Sequence, residues 1–466
     1  MPERPAARKA DVTDLTIWLP RAVTAIDAWQ EAYGAFDRHP SLAVDDERLG
    51  AAFSTLTDRL TDNYPFFHPH YVGQMLKPPH PAAVLGYVAA MLINPNNHAL
   101  DGGPATAAME KDVVARLAGM FGLSDHLGHL TSSGTIANLE ALFVARESHP
   151  GKGIAFSADA HYTHQRMCHV LGIEALPIAT DDRGRMDLAA LETALGTGRI
   201  GTVVATMGTT GLGALDPLPG ILALAHEHGA RVHVDAAYGG FFALIADDSH
   251  DGVSSAPFAA IAGADSVVID PHKHGLQPYG CGAVLFSDPA VGEFFKHDSP
   301  YTYFSSDDLH LGEISLECSR AGAAAASLWL TLEVLPLTPD GLGAALRPGR
   351  RAALAWHQLL SGSAGLAAFQ VPELDIVTYL PRRGSMSAVD EASHALFLAA
   401  AEGAPAEQVH VATYSVTAEQ LASRGHRVDV DADAARIMRS VVMKPESEAQ
   451  IPSIHAHLER LSQISA

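Results

Sequence analysis

The chain is short of cysteine, of positive charge and of long apolar runs. Three cysteines, Cys168, Cys281 and Cys318, stand in 466 residues. They form neither a CxxC pair nor a metal-type spacing, which argues against a disulfide framework and implies a reducing compartment. Basic residues number 31 against 53 acidic ones, a formal net charge of −22. Nucleic acid and anionic membrane are poor partners for such a chain, and an anionic ligand has to be held by locally placed donors. The longest apolar stretch, "AAVLGYVAAMLI", falls well short of the roughly 20 residues that span a bilayer. The opening "MPERPAARKADVTD" lacks the apolar region of a secretory leader. A cytoplasmic globular protein is expected, and a hydrophobic content of 47% supplies a large core.

What is present is a change of rhythm along the chain. The first sixty or so residues read as helical, with "RAVTAIDAWQEAYGAF" amphipathic. From about Gly128, β-rich apolar runs alternate with helical stretches: "GHLTSS", "GIAFSAD", "IGTVVATMGTT" and "RVHVDAAYG" are separated by "GTIANLEALFVARES", "HYTHQRMCHVLG" and "LPGILALAHEHG". This alternation predicts an α/β fold with a mainly parallel sheet covered by helices on both faces. After Trp329 the runs "ELDIVTYLP", "QVHVATYSV" and "RIMRSVVMKP" read as strands among helices, a smaller α+β lobe. The expected division is an N-terminal helical segment over 1–65, a large domain over 66–345 and a small C-terminal domain over 346–466.

Ligands of an open parallel sheet sit at the carboxyl ends of its strands. After "GHL" come Ser133, Gly134 and Thr135, opening a helix; hydroxyls and first-turn amides there suit a phosphate, though an ordinary N-cap looks the same. No GxxxxGK[ST] run is present, and "GLGALD" is not a dinucleotide fingerprint. His161 follows the next strand and can stack on a planar ring. The His161/His164 spacing also suits a metal pair, but no third ligand has a matching spacing, so no metal is expected. Thr209 lies in a turn after the strand "TVVAT". Asp235 ends "RVHVD", where an ionised carboxylate needs a cation or several donors, and Ala237 leaves room for a flat ring. Lys273 lies between His272 and His274 on a turn between two apolar runs. In a partly dry site its amine is expected to have a depressed pKa and to act as a nucleophile. Taken singly, each feature has an ordinary structural explanation. Together, a phosphate cradle, a stacking ring, a pyridinium partner and a nucleophilic amine are what pyridoxal phosphate (PLP) requires.

"TSSGTIANLEAL", "DAHYTHQRM", "GTTGLGALDPL", "HVDAAYGG" and "DPHKHGLQPYGCG" resemble the PLP-dependent group II amino acid decarboxylases, which include the glutamate, aspartate, aromatic amino acid and tyrosine enzymes. The resemblance implies the fold-type I, aspartate aminotransferase-like architecture and a homodimer with shared active sites. It implies that Lys273 bonds PLP, that Asp235 pairs with the ring nitrogen and that His161 stacks on the ring. Ser133, Thr135 and His272 would contact phosphate, and Thr209 would lie beneath the cofactor. The family's proton donor is a tyrosine on a mobile loop, which nominates Tyr303 or Tyr301 in "HDSPYTYFSSDDLH". His274 stands where the family more often has an apolar residue.

"HPHYVGQM" and "RIMRSVVMKP" resemble family stretches that meet a substrate carboxylate, which nominates Gln74 and Arg439; Asn97 lies just before a segment expected near the pocket entrance. The expected reaction is decarboxylation of an L-amino acid to the amine and CO2, with aspartate, glutamate or cysteine sulfinate as substrate. An aromatic or tyrosine substrate is the alternative within the class, and a PLP-dependent aminotransferase or lyase the alternative outside it.

Overall fold

The computed structural model describes residues 14–296 and 310–464. Its larger sheet contains β1 (Leu127–Thr131), β2 (Gly153–Ser157), β3 (Ala175–Ile178), β4 (Ile200–Thr206), β5 (Arg231–Asp235), β6 (Ser266–Ile269) and β7 (Gly282–Phe286). The seven strands lie in the order β1-β7-β6-β5-β4-β2-β3. All neighbouring pairs from β6 through β5, β4 and β2 to β3 are parallel, whereas β7 runs antiparallel to both β6 and β1. The exception follows from chain length. A parallel return needs a crossover, normally a helix, but β6 and β7 are joined only by the turn that carries Lys273. β1, β2, β4, β6 and β7 are buried along their whole length, as expected of strands covered on both faces. β3 has no counterpart in the sequence reading, because Pro177 interrupts its pattern; the strand sits at the sheet edge, where proline is tolerated.

The smaller sheet is antiparallel, in the order β10-β11-β9-β8, with β8 at Leu366–Ala368, β9 at Ile376–Pro381, β10 at Ala412–Thr417 and β11 at Ala434–Val441. Helices Arg347–Ser361, Met386–Ala400 and Ile451–Ile464 accompany it. Its core packs Trp356 against Tyr379, ring centroids 5.3 Å apart. The segment after His68 crosses to this sheet. Val72 donates to the His410 carbonyl (2.8 Å) and accepts from the Val441 amide (2.7 Å). That crossing carries Gly73 and Gln74 to the flank of β11.

Helices Leu15–Glu31 and Asp46–Leu60 form an N-terminal arm, capped by Asp14 and Asp45 side chains. Neither helix has a buried residue, and Trp18, Trp29, Leu49, Phe53 and Leu56 are exposed on them. Among the described residues no helix is long and apolar enough to cross a membrane.

Candidate active site

A cavity of about 410 Å³ opens at the carboxyl ends of the parallel strands. The ends of five strands contribute to its wall. The chain after β1 supplies Ser133, Gly134 and Thr135; after β2, His161, Tyr162 and Thr163; around the end of β4, Thr206, Gly208 and Thr210; from β5, Asp235, Ala237 and Tyr238; after β6, Asp270, His272, Lys273 and Tyr279.

Ser133 caps the helix Gly134–Ser148, its hydroxyl accepting from the Ile136 amide at 3.4 Å. The first-turn amides of a helix have no intrahelical acceptor, so they present donors to the cavity, and the helix dipole favours an anion there. Close packing forms the cradle. A Cβ on Gly134 would lie 2.6 Å from Asp270 Oδ2, and one on Gly282 would lie 2.6 Å from the Ser133 carbonyl carbon. His272 stands beside it, Nδ1 donating to the Cys281 carbonyl at 2.9 Å, and burial lowers its pKa.

Asp235 is 5% exposed, yet its carboxyl is held well below the usual carboxylate range. Burial alone would raise it; the His164 hydrogen bond, then the charges of His164, His233 and Lys273, outweigh that effect. His164 Nε2 donates to Asp235 Oδ2 at 2.8 Å, and the Ala237 amide donates to Oδ1 at 3.1 Å. His164, which the sequence offered only as half of a metal pair, is therefore the buried partner of Asp235. Behind it His233 bridges Ser266 Oγ (2.8 Å) and Asn138 Oδ1 (2.9 Å), and burial pushes its pKa down to about 3. The Asn138 amide in turn donates to the Gly134 carbonyl at 2.8 Å, linking the carboxylate's surroundings to the anion cradle.

His161 holds its ring through Nδ1 and the Thr163 hydroxyl, 2.7 Å apart. Burial, reinforced by Lys273 and His164, lowers its pKa despite Asp235. A neutral imidazole can lie against a protonated pyridine ring without charge repulsion.

Lys273 departs from expectation in its charge. Burial would lower its pKa, but Asp270 and then Asp235 raise it above the ordinary lysine value. Its Nζ is 2.9 Å from Asp270 Oδ2. The sequence reading placed cations beside this amine; the neighbours that decide its charge are carboxylates. Asp270 Oδ1 is buried without a hydrogen-bond partner.

Two expected positions are corrected. Asn97 is fully buried away from the cavity wall, donating to Glu110 Oε2 (2.6 Å) and the Thr106 carbonyl (3.2 Å) and accepting from the Thr106 hydroxyl (2.6 Å). Its hydrogen-bonding capacity is spent bracing the helix Pro104–Met120. Thr209 turns its hydroxyl back to accept from the Ala214 amide at 3.0 Å, and it is Thr210 that lines the cavity. Arg439, on β11, reaches the same turn, Nε donating to the carbonyls of Thr210 (2.9 Å) and Gly211 (3.1 Å) and Nη1 to that of Gly73 (3.3 Å). Its Nη2 is buried with no partner, and Gln74, next to Gly73, is exposed. Tyr301 and Tyr303 lie outside the described residues.

An anion cradle, a buried ionised carboxylate, a neutral ring and a lysine on one cavity wall fit PLP, and together with the sheet topology they define a fold-type I PLP enzyme. Residues 64–337, more than half of the chain, match the pyridoxal-dependent decarboxylase conserved domain. The chain belongs to that family and is a PLP-dependent amino acid decarboxylase. A probable L-aspartate decarboxylase of Halobacterium salinarum is 34% identical over 273 residues, 58% of this chain and 72% of that one. An L-tyrosine decarboxylase of Enterococcus faecium is 29% identical over 388 residues, 62% of this chain and 63% of that one. The crystal structure of Oryza sativa TDC with PLP and tryptamine superposes with a TM-score of 0.78 at 18% identity, over 98% of this chain and 99% of that one, a likeness of fold.

Proposed function

We propose that the protein removes the α-carboxylate of an acidic amino acid, aspartate first among them, as CO2. The observation that carries this reading is the Arg439 guanidinium, fixed by three carbonyls beside the cavity wall with Nη2 buried and unpaired. An unpaired buried guanidinium nitrogen is costly, and a carboxylate is its natural partner. Gln74 stands next to Gly73, the residue Arg439 anchors, and is a second carboxylate-side candidate. The relative named for L-aspartate supports the choice among acidic substrates.

In this reading PLP, when bound, supplies an aldehyde for the amine and an electron sink for the bond that breaks. Lys273 binds it. Asp270 Oδ2, 2.9 Å from Nζ, holds the amine in its protonated form until the cofactor is taken up. Ser133, Gly134, Thr135 and His272 hold the phosphate, and His161 and Ala237 bound the two sides of the ring. Asp235, kept ionised by His164, holds a proton on the pyridine nitrogen, and Thr210 replaces Thr209 at the wall. Tyr303 or Tyr301 is the donor that returns a proton to Cα.

The same reading includes a homodimer in a reducing, cytoplasmic setting. Three free thiols support the compartment, and the uncovered apolar residues of the N-terminal arm support a second copy packed against it. The domain division at 65 and 345 rests on the separate sheets and on the arm helices.

Incubating the purified holoenzyme with aspartate, glutamate, cysteine sulfinate and tyrosine, with CO2, amine and keto acid measured together, tests the proposal. Aspartate is expected to give CO2 and β-alanine. Keto acid without CO2 would sink the decarboxylase assignment, and turnover of tyrosine above all three acidic substrates would sink the acidic one. Light scattering of the same preparation checks the dimer.

A further inference from the structure

His274 is 1% exposed and packs edge-on against Tyr238 and Phe242, ring centroids 4.7 and 4.9 Å away. Its Nδ1 lies 3.1 Å from the Tyr238 backbone oxygen and its Nε2 lies 2.8 Å from Asp375 Oδ2. A carbonyl and a carboxylate both accept, so each ring nitrogen faces an acceptor and His274 bridges the Tyr238 backbone to Asp375. The Tyr238 phenol donates to the other carboxylate oxygen, Asp375 Oδ1. The three residues close a loop in which every side-chain polar atom has a partner.

The groups around this loop keep its charges in place. Burial alone would raise the Asp375 carboxyl, but His274, Tyr238 and Lys77 hold it below its ordinary value. Burial and Asp375 keep the Tyr238 phenol protonated. Arg350 and Arg439 also face the Asp375 charge.

The position of the loop matters more than its strength. His274 adjoins Lys273; Tyr238 lines the cavity three residues after Asp235; Asp375 immediately precedes β9 in the smaller sheet. A buried ion pair is a poor source of stability, since apolar residues of similar volume often serve as well or better. It does fix geometry, because breaking one side leaves an unpaired charge. We propose that His274 and Asp375 are a positioning pair that locks the Lys273 turn and the Tyr238 wall to the smaller sheet, and thereby sets how tightly PLP is retained and how its lysine is aimed. The proposal rests on Lys273 binding PLP.

The test uses holoenzyme of Asp375→Asn, His274→Gln and the double variant His274→Phe/Asp375→Leu, with Lys273→Ala as control. Three quantities are followed: PLP release on dialysis, read by near-visible absorbance; the separate values of kcat and KM; and the melting temperature. Asp375→Asn and the double variant are expected to release PLP about tenfold faster or more and to lose kcat by a similar factor with KM little changed, because small misplacements at a reacting centre cost that much. The double variant is expected to melt above Asp375→Asn, because it leaves neither member of the His274–Asp375 pair facing an absent partner. His274→Gln keeps a donor to Asp375 and is expected to fall between wild type and the double variant. PLP release and kcat at wild-type levels in Asp375→Asn would overturn the proposal, as would His274→Gln matching a defective double variant. Should the double variant not fold, Asp375→Asn decides alone. If Lys273→Ala keeps the wild-type near-visible band, the assignment of Lys273 itself fails; if that band is lost while Asp375→Asn behaves as wild type, only the positioning pair fails.

Discussion

Lys273 Nζ sits 2.9 Å from Asp270 Oδ2, and this contact sets the state of the amine before PLP arrives. Only the unprotonated amine attacks an aldehyde, and Asp270 works against that form by raising the Lys273 pKa over the opposing effect of burial. Replacing Asp270 by Asn removes the carboxylate charge while keeping its size. The pH at which apo-protein takes up PLP is expected to move downward in Asp270→Asn, measured as the initial rate of near-visible absorbance against pH. An unchanged profile would mean that Asp270 does not hold the proton.

Asp235 is the second electrostatic centre. Asp235→Asn loses the charge that holds a proton on the ring nitrogen and is expected to lower kcat about 100-fold, the scale of removing one preorganised electrostatic partner. His164→Phe leaves the Asp235 carboxylate with the Ala237 backbone amide as its hydrogen-bond donor and raises the carboxyl's pKa, so its activity is expected to fall further at pH 6 than at pH 8. Steady-state kinetics at both pH values separates this from a plain packing defect, which would lower both equally.

Gly134 is required by contact rather than by backbone conformation. A methyl group there meets both Asp270 carboxylate oxygens, at 2.6 and 2.7 Å. Gly134→Ala is expected to cost about 1–3 kcal/mol of stability by overpacking and to weaken PLP binding, since the cradle must open to admit it. Urea denaturation and PLP titration measure the two effects.

Arg439 donates to three carbonyls from β11, a geometry that a lysine ammonium cannot reproduce. Arg439→Lys is expected to raise KM for the acidic substrate about tenfold or more with a smaller effect on PLP affinity. Equal losses in both would make Arg439 a scaffold for the Thr210 turn instead.

Lys444 supplies a pH signature of stability remote from the chemistry. It is 4% exposed, its Nζ donates to the Tyr71 carbonyl at 2.5 Å, and burial, with Lys77, lowers its pKa to about 8. An unfolded lysine titrates near about 10.4, so between these values the unfolded chain holds the extra proton, and this residue's contribution to stability rises with pH. Below pH 8 the charge is buried at a cost. The stability of Lys444→Met relative to wild type is therefore expected to be highest at pH 7 and lower at pH 10, read from denaturation midpoints at the two pH values.

Most strands were legible because fully buried parallel strands read as short β-branched runs, and β4, β5 and β6 show that pattern plainly. β3 was hidden by Pro177, and β8, three residues long, is too short to carry a pattern. Asn97 misled because its neighbourhood resembled a pocket rim, and nothing local in the sequence reveals that Glu110 and Thr106 would absorb its amide. The charge of Lys273 was misjudged for a related reason. The adjacent histidines were visible as cations, while the orientation of Asp270, three residues back, depends on how the turn closes.

The sequence by itself determined the chemistry at each strand end: hydroxyls and glycine before a helix, a histidine, an aspartate after a β-branched run, and a lysine on a turn. Those are local choices, readable because strand and helix periods are short. Tertiary structure decided the partners. His164 meets Asp235 across 71 residues, His274 meets Asp375 across 101, and Arg439 meets the Thr210 carbonyl across 229. Such pairings depend on strand order, sheet register and the path of the segment after His68, and those emerge only when the two sheets and the chain between them pack together.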